Sequence, residues 1–117
     1  MKDIRRTEPY KKWFKKLKDK RVKAKIYVRI ERLAEGNPGD VEPIGEGCSE
    51  MCIDYGPGYR VYFKALARCQ HTGKEIIILL YGGDKSRQQE DITKAKKIAR
   101  NYILEEEEKE DGKSKSE

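Results

Sequence analysis

Apolar positions along the chain change period once, near residue 40, and that change divides the domain. Tyr10, Trp13, Phe14 and Leu17 recur at i, i+3, i+4 and i+7, which predicts an amphipathic helix entered through Glu8-Pro9. Asp19 is placed to cap a second helix, in which Val22, Ile26, Ile30 and Leu33 form one stripe and Lys and Arg fill almost all the rest. Gly36-Asn37-Pro38-Gly39 stops it with several helix breakers in four residues. A short strand over 2–7, with Ile4 as its strong apolar residue, precedes both helices.

Beyond that stop the period falls to two. Residues 41–44 are a candidate short strand. Two further strands, 48–55 and 59–68, are joined by Gly56-Pro57-Gly58, a hairpin signal. A turn over 70–74 leads to 75–81, an almost unbroken Ile/Leu run of the kind found in central strands, and Gly82-Gly83-Asp84 is expected to end it. Ile92, Ala95, Ala99, Tyr102 and Ile103 then mark a third helix over about 86–104. The expectation is an α+β domain over 1–104: an antiparallel β-sheet with two N-terminal helices packed on one face, followed by a C-terminal helix. Residues 105–117 have no apolar anchor and are expected to form a disordered acidic tail.

Charge sharpens this picture. Residues 105–117 hold seven acidic and three basic side chains, so the other 104 carry 24 basic against 14 acidic. A body this basic attracts polyanions, although a lysine-rich solvated surface explains the composition equally well. No run approaches the ~20 apolar residues that span a bilayer, and no apolar signal region is present, so no membrane role and a cytoplasmic location are expected.

Alternation within 59–68 separates two faces. Tyr59, Val61, Phe63, Ala65 and Ala67 suit a core, while Arg60, Tyr62, Lys64, Leu66 and Arg68 point the other way. A cationic sheet face with a ring suits single-stranded nucleic acid. The plainer alternative is a solvated face with Arg60 and Lys64 paired to Glu50 and Asp54. Gly82-Gly83-Asp84-Lys85-Ser86, at a strand-to-helix junction, could hold an anion on backbone N–H groups, but lacks the spacing of a nucleotide-binding P-loop. Cys48, Cys52, Cys69 and His71 invite comparison with a zinc site. A C-x3-C pair on a strand, however, lies ~13 Å apart, too far for one ion. No metal and no cofactor are expected, and three cysteines in a chain without a signal argue against a disulfide framework.

Several spaced segments carry a resemblance: Gly36-Asn37-Pro38-Gly39-Asp40, Ser49-Glu50-Met51, Asp54-Tyr55-Gly56-Pro57-Gly58-Tyr59-Arg60-Val61-Tyr62-Phe63, and Gly82-Gly83-Asp84-Lys85-Ser86 with Gln88, Asp91, Ile92 and Ala95 after it. Over about residues 4–104 the chain resembles the RelE/ParE toxin superfamily, in its HigB-like branch of addiction-module killer proteins. The resemblance implies a type II toxin that cleaves mRNA on the ribosome and so inhibits translation. It also implies a neutralising antitoxin, of helix-turn-helix type. Carried onto this chain, Arg60 becomes the phosphate and transition-state ligand, Lys85 a general base or second phosphate ligand, and Tyr62 a further catalytic or stacking residue. Lys64, Arg68, Arg87 and Gln88 become RNA-binding positions. The chain departs from the family where Leu-Arg commonly follows Ser-Glu: here Met51-Cys52 stands instead, which removes a cation beside Arg60. A ParE-type inhibitor of DNA gyrase and a non-catalytic toxin that only binds its antitoxin remain the alternatives.

Overall fold

A computed structural model describes residues 2–66 and 75–115, with side chains described as far as residue 102. The order is β1 (Asp3–Arg6), α1 (Glu8–Lys16), α2 (Lys20–Ala34), β2 (Val41–Gly45), β3 (Cys48–Ile53), β4 (Tyr59–Leu66), β5 (Ile76–Asp84), a single 3-10 turn over Lys85–Arg87, and α3 (Gln88–Lys115). The strands form one five-stranded sheet in the order β1-β5-β4-β3-β2. The α+β class and the element order agree with the sequence pattern.

Two features of the layout differ from expectation. The sheet is mixed: β2, β3, β4 and β5 run antiparallel, but β1 pairs parallel with β5, Ile4 opposite Ile77. The two N-terminal helices do share one face, but α3 covers the other, which the alternation in β4 had left open. Tyr10, Val22, Ile26, Ile30 and Leu33 of α1 and α2 pack with Met51, Ile53, Val61, Phe63, Ile77 and Leu79 on one side. On the other side, Cys48, Tyr62, Ile76, Ile78 and Leu80 pack beneath Ala95 and Ala99 of α3. The unbroken apolar run of β5 is the sequence record of this second layer, because a strand buried on both faces has no polar alternation. Alanines at 95 and 99 let α3 lie close to the strands.

Local chemistry explains the ends of the elements. Thr7 caps α1, accepting from the Tyr10 amide at 3.2 Å, and its hydroxyl lies 3.0 Å from Leu79 O and 2.8 Å from Leu80 O. It therefore ties the β1–α1 corner to the central strand while satisfying a helix-end donor. Asp19 caps α2 by accepting from Arg21 N at 2.9 Å. Arg29 Nη1 donates to Cys52 O at 2.6 Å and its Nη2 to Pro38 O at 3.2 Å, fastening α2 and the loop after it to β3. The acidic segment differs from expectation: the backbone of 105–115 forms the last turns of α3. Runs of glutamate disfavour burial, yet Glu and Lys are good helix formers, so a helix already nucleated on the sheet continues through them. Residues 116–117 lie outside the described residues.

Gly82 and Gly83 do not end the strand but belong to β5. A register shift between Tyr62–Tyr81 and Phe63–Leu79 leaves Leu80 as an extra residue, so Leu80 and Tyr81 both pack toward α3. The next two residues then alternate: a Cβ on Gly82 would collide with the Trp13 indole, and one on Gly83 with the Asp91 carboxylate. Gly82→Ala should therefore force Trp13 out of place and lower stability by about 1–3 kcal/mol, the usual range for overpacking. Urea unfolding followed by tryptophan fluorescence measures this directly, since Trp13 is the only tryptophan.

Candidate functional site

The antiparallel pairing of β4 with β5 sets Tyr59 opposite Asp84 and Arg60 opposite Gly83. The 54–58 turn, the end of β5 and the entry to α3 consequently meet at one end of the sheet. Gly58 holds φ +81°, a conformation that a side chain would strain, and an ideal Cβ there would lie 3.8 Å from Lys85 Cβ. Arg60 turns back to the same residue, its Nη1 donating to Gly58 O at 3.4 Å. Arg60 and Lys85, far apart in sequence, thus flank one glycine.

Behind them is a buried polar nest. Glu50, 4% exposed, sits opposite Tyr62 in the β3–β4 register. It accepts from Gln88 Nε2 at 3.1 Å on both carboxylate oxygens and lies 3.5 Å from Arg60 Nε. The side chain of Arg60 is only 15% exposed, and its Nε, like the Tyr62 hydroxyl, is buried without a hydrogen-bond partner. The expected Arg60–Glu50 pairing is present. Glu50 is not among the expected site residues, although the sequence offers it as a counter-charge to Arg60.

The remaining expected residues are distributed differently. Tyr62 is fully buried beneath α3, so it presents no ring or hydroxyl to a solvent-borne ligand. Burial raises its hydroxyl pKa well above the ordinary value, with Asp91 and Glu50 adding to the effect. The expectation of an open cationic face is overturned for one physical reason: α3 covers it. Lys64 lies at the opposite end of β4, where its Nζ donates to Glu46 O at 3.1 Å, rather than pairing with Asp54. Around Glu46 it joins Arg100, whose Nε donates to Glu46 at 2.9 Å and draws that carboxyl below its usual pKa. Arg87 is exposed and donates to Glu90 at 2.6 Å. Arg68 lies outside the described residues, as do Cys69 and His71. Cys48 and Cys52 are free thiols, and among the described residues no group of three potential ligands could hold a metal ion.

The strand-to-helix junction is capped by Asp84, which accepts from Ser86 N at 2.8 Å and also from the Ser86 hydroxyl. These bonds hold its carboxyl below the ordinary range. Asp91, largely buried against Gly83, is shifted the other way, its pKa raised by desolvation. The junction therefore pairs a cap whose ionised form is favoured with a carboxyl, seven residues later, that resists ionisation. Lys85, exposed between them, has no hydrogen bond or ion pair among the described residues.

No family model and no solved structure matches the chain. An uncharacterized protein of Haemophilus influenzae is 45% identical to it over 101 residues, which cover 86% of this chain and 96% of that protein. The chain belongs to that protein's family. The match spans nearly the whole relative, so the family shares the domain rather than a fragment of it.

Two substitutions separate the roles in the nest. Tyr62→Phe removes a hydroxyl that has no partner, so it should leave stability unchanged or raise it by up to about 1 kcal/mol. Glu50→Ala deprives Gln88 of its acceptor and Arg60 of its ion-pair partner and should cost about 1–3 kcal/mol. Thermal unfolding of both variants checks the pair. For Asp91, whose folded pKa is raised, the ionised form is the disfavoured one. The penalty is absent below the ordinary aspartate pKa and grows as pH rises through the folded value. Asp91→Asn should accordingly stabilise at pH 7 and lose that advantage near pH 3, as denaturation midpoints at the two pH values will show.

Proposed function

We propose that this chain is a type II toxin of the RelE/HigB kind, a ribosome-dependent mRNA endoribonuclease. The observation that supports it best is the convergence of Arg60 and Lys85 on Gly58, with Gln88 joined to Arg60 through Glu50. The family resemblance assigns phosphate and proton chemistry to Arg60 and Lys85 and RNA binding to Gln88, and the three come from β4, the 3-10 turn and α3. The basic body around them favours a polyanionic substrate.

Cleavage by a 2′-hydroxyl on its adjacent phosphate needs a base for that proton, cations for the charge that builds on phosphorus, and an acid for the leaving oxygen. Arg60, pinned by Glu50 and Gly58 O, offers guanidinium N–H groups in a fixed direction for the non-bridging oxygens. Lys85, exposed and without a hydrogen bond or ion pair among the described residues, is the group available to take or return a proton or to hold a second phosphate. The buried Tyr62 takes no part in this scheme. Messenger RNA on the ribosome is the proposed substrate, and a helix-turn-helix antitoxin the proposed partner.

Burial of Tyr62 also favours a second reading. Without it the site has few proton-transfer groups, and a toxin that inhibits DNA gyrase by protein contact needs none.

The deciding measurement maps transcript 5′ ends within minutes of inducing the chain in bacteria without an antitoxin. New ends inside translated codons are expected. Lys85→Ala, at an exposed position, should reduce them by about 10²-fold or more while the fold survives. Growth arrest with intact transcripts and DNA damage would instead point to gyrase.

A further inference from the structure

Among the described residues, the two large apolar side chains most open to solvent are neighbours on α2: Tyr27, 54% exposed, and Val28, 42% exposed. Beside Val28 runs an open groove of about 470 Å³ between α2 and the end of β3. Its apolar lining is Ala24, Val28 and the buried Ile53, and its cations are Lys25, Arg29 and Arg32. Among the described residues, Asp54 is the carboxylate that lines it.

Among the described residues, the cations in this groove have no ion-pair partner. Arg29 donates to the carbonyls of Cys52, Pro38 and Asp40, which orient the guanidinium but carry no net charge. Lys25 Nζ lies 5.3 Å from the Tyr55 ring centroid, a contact that likewise leaves its charge uncompensated. Neither they nor Arg32 have an ion-pair partner among the described residues. The helix as a whole bears six cations and the single acid Glu31. A solvated lysine-rich face does not require an exposed Val at its centre or an apolar trough beside it, whereas Tyr27 belongs to a separate cleft with Arg6, Tyr10 and Phe14. Apolar anchors ringed by unpaired cations are the complement of an acidic amphipathic segment.

We propose that this groove is a docking surface for an acidic amphipathic segment of a partner protein, which places one or two apolar side chains against Ala24, Val28 and Ile53 and its carboxylates against Lys25, Arg29 and Arg32. The inference does not rest on the nuclease reading. It does place the partner at the same end of the sheet as Gly58, because Ile53 pairs with Tyr59 across the 54–58 turn. A nucleic acid would satisfy the cations but leave Val28 and the apolar trough without a matching group, so a protein segment is the better fit.

The test is fluorescence anisotropy on the full chain with a labelled 18-residue helical peptide carrying leucine at alternating third and fourth positions and glutamate elsewhere. Saturable binding is expected, weakened at least tenfold by Val28→Asp and by Arg32→Glu, both at positions whose side chains hold no structural bond. The same peptide with its leucines replaced by alanine, or its glutamates by lysine, should bind at least tenfold more weakly. Unaltered binding to the two protein variants, or equal binding of the lysine peptide, overturns the proposal. So does displacement of the peptide by single-stranded RNA whose own binding is lost in Val28→Asp, which would make the groove a nucleic-acid site. Sedimentation that reveals a dimer broken by the same two variants overturns it in favour of a second copy of this chain.

Discussion

Adjacent glycines in β5 are the constraint on which the arrangement depends. Residues 82 and 83 face opposite sides of the sheet, and each yields its missing side chain to a neighbour: Trp13 of α1 on one side, Asp91 of α3 on the other. Alternation makes this possible, since consecutive strand residues point to opposite faces. The extra residue at Leu80 sets the phase, and without it each glycine would face the wrong helix. Close packing leaves little slack, so the strand fixes the position of both helical layers at one point. Lys85 and Gln88 follow within a few residues, and their placement beside Arg60 is inherited from that point.

Much of this was legible in the sequence. Helical spacing identified Tyr10, Trp13 and Phe14 as core, and Asp19 and Gly36 marked the bounds of α2. The period-two alternation placed Val61 and Phe63 against the N-terminal helices. The Ile/Leu run of β5 marks a central strand, and the cover on both of its faces extends to Tyr62 beside it in β4. That side chain was assigned to an open face because alternation reports which residues share a side, not what lies against it. The parallel pairing of β1 was likewise hidden, since register between strands about seventy residues apart leaves no local mark.

The candidate site was legible in part, for similar reasons. Arg60, Lys85 and Gln88 were visible as polar residues at turns and strand ends, and the structure brings them to one end of the sheet. Lys64 was grouped with Arg60 through their common face, yet the length of β4 separates them, and Glu46 gives Lys64 a different setting. In the sequence Glu50 reads only as a counter-charge to Arg60, because an acid on a basic face looks like ordinary charge balance. Its value lies in burial, where a carboxylate that orients both an arginine and a glutamine holds each of them more firmly than solvent would.

The parallel β1–β5 pairing has a consequence for how the chain comes into being. Ile4 has no strand partner until Ile77 has been made, and the Thr7 hydroxyl waits for Leu79 and Leu80. A chain emerging from its N-terminus can form α1 and α2 early, but the sheet cannot close until nearly three quarters of the sequence has left the ribosome. Contacts of such long sequence separation form late and slowly. Arg60 and Lys85 meet only once β5 has paired with β4, and a product lacking β5 would carry the basic helices without the junction that this strand builds.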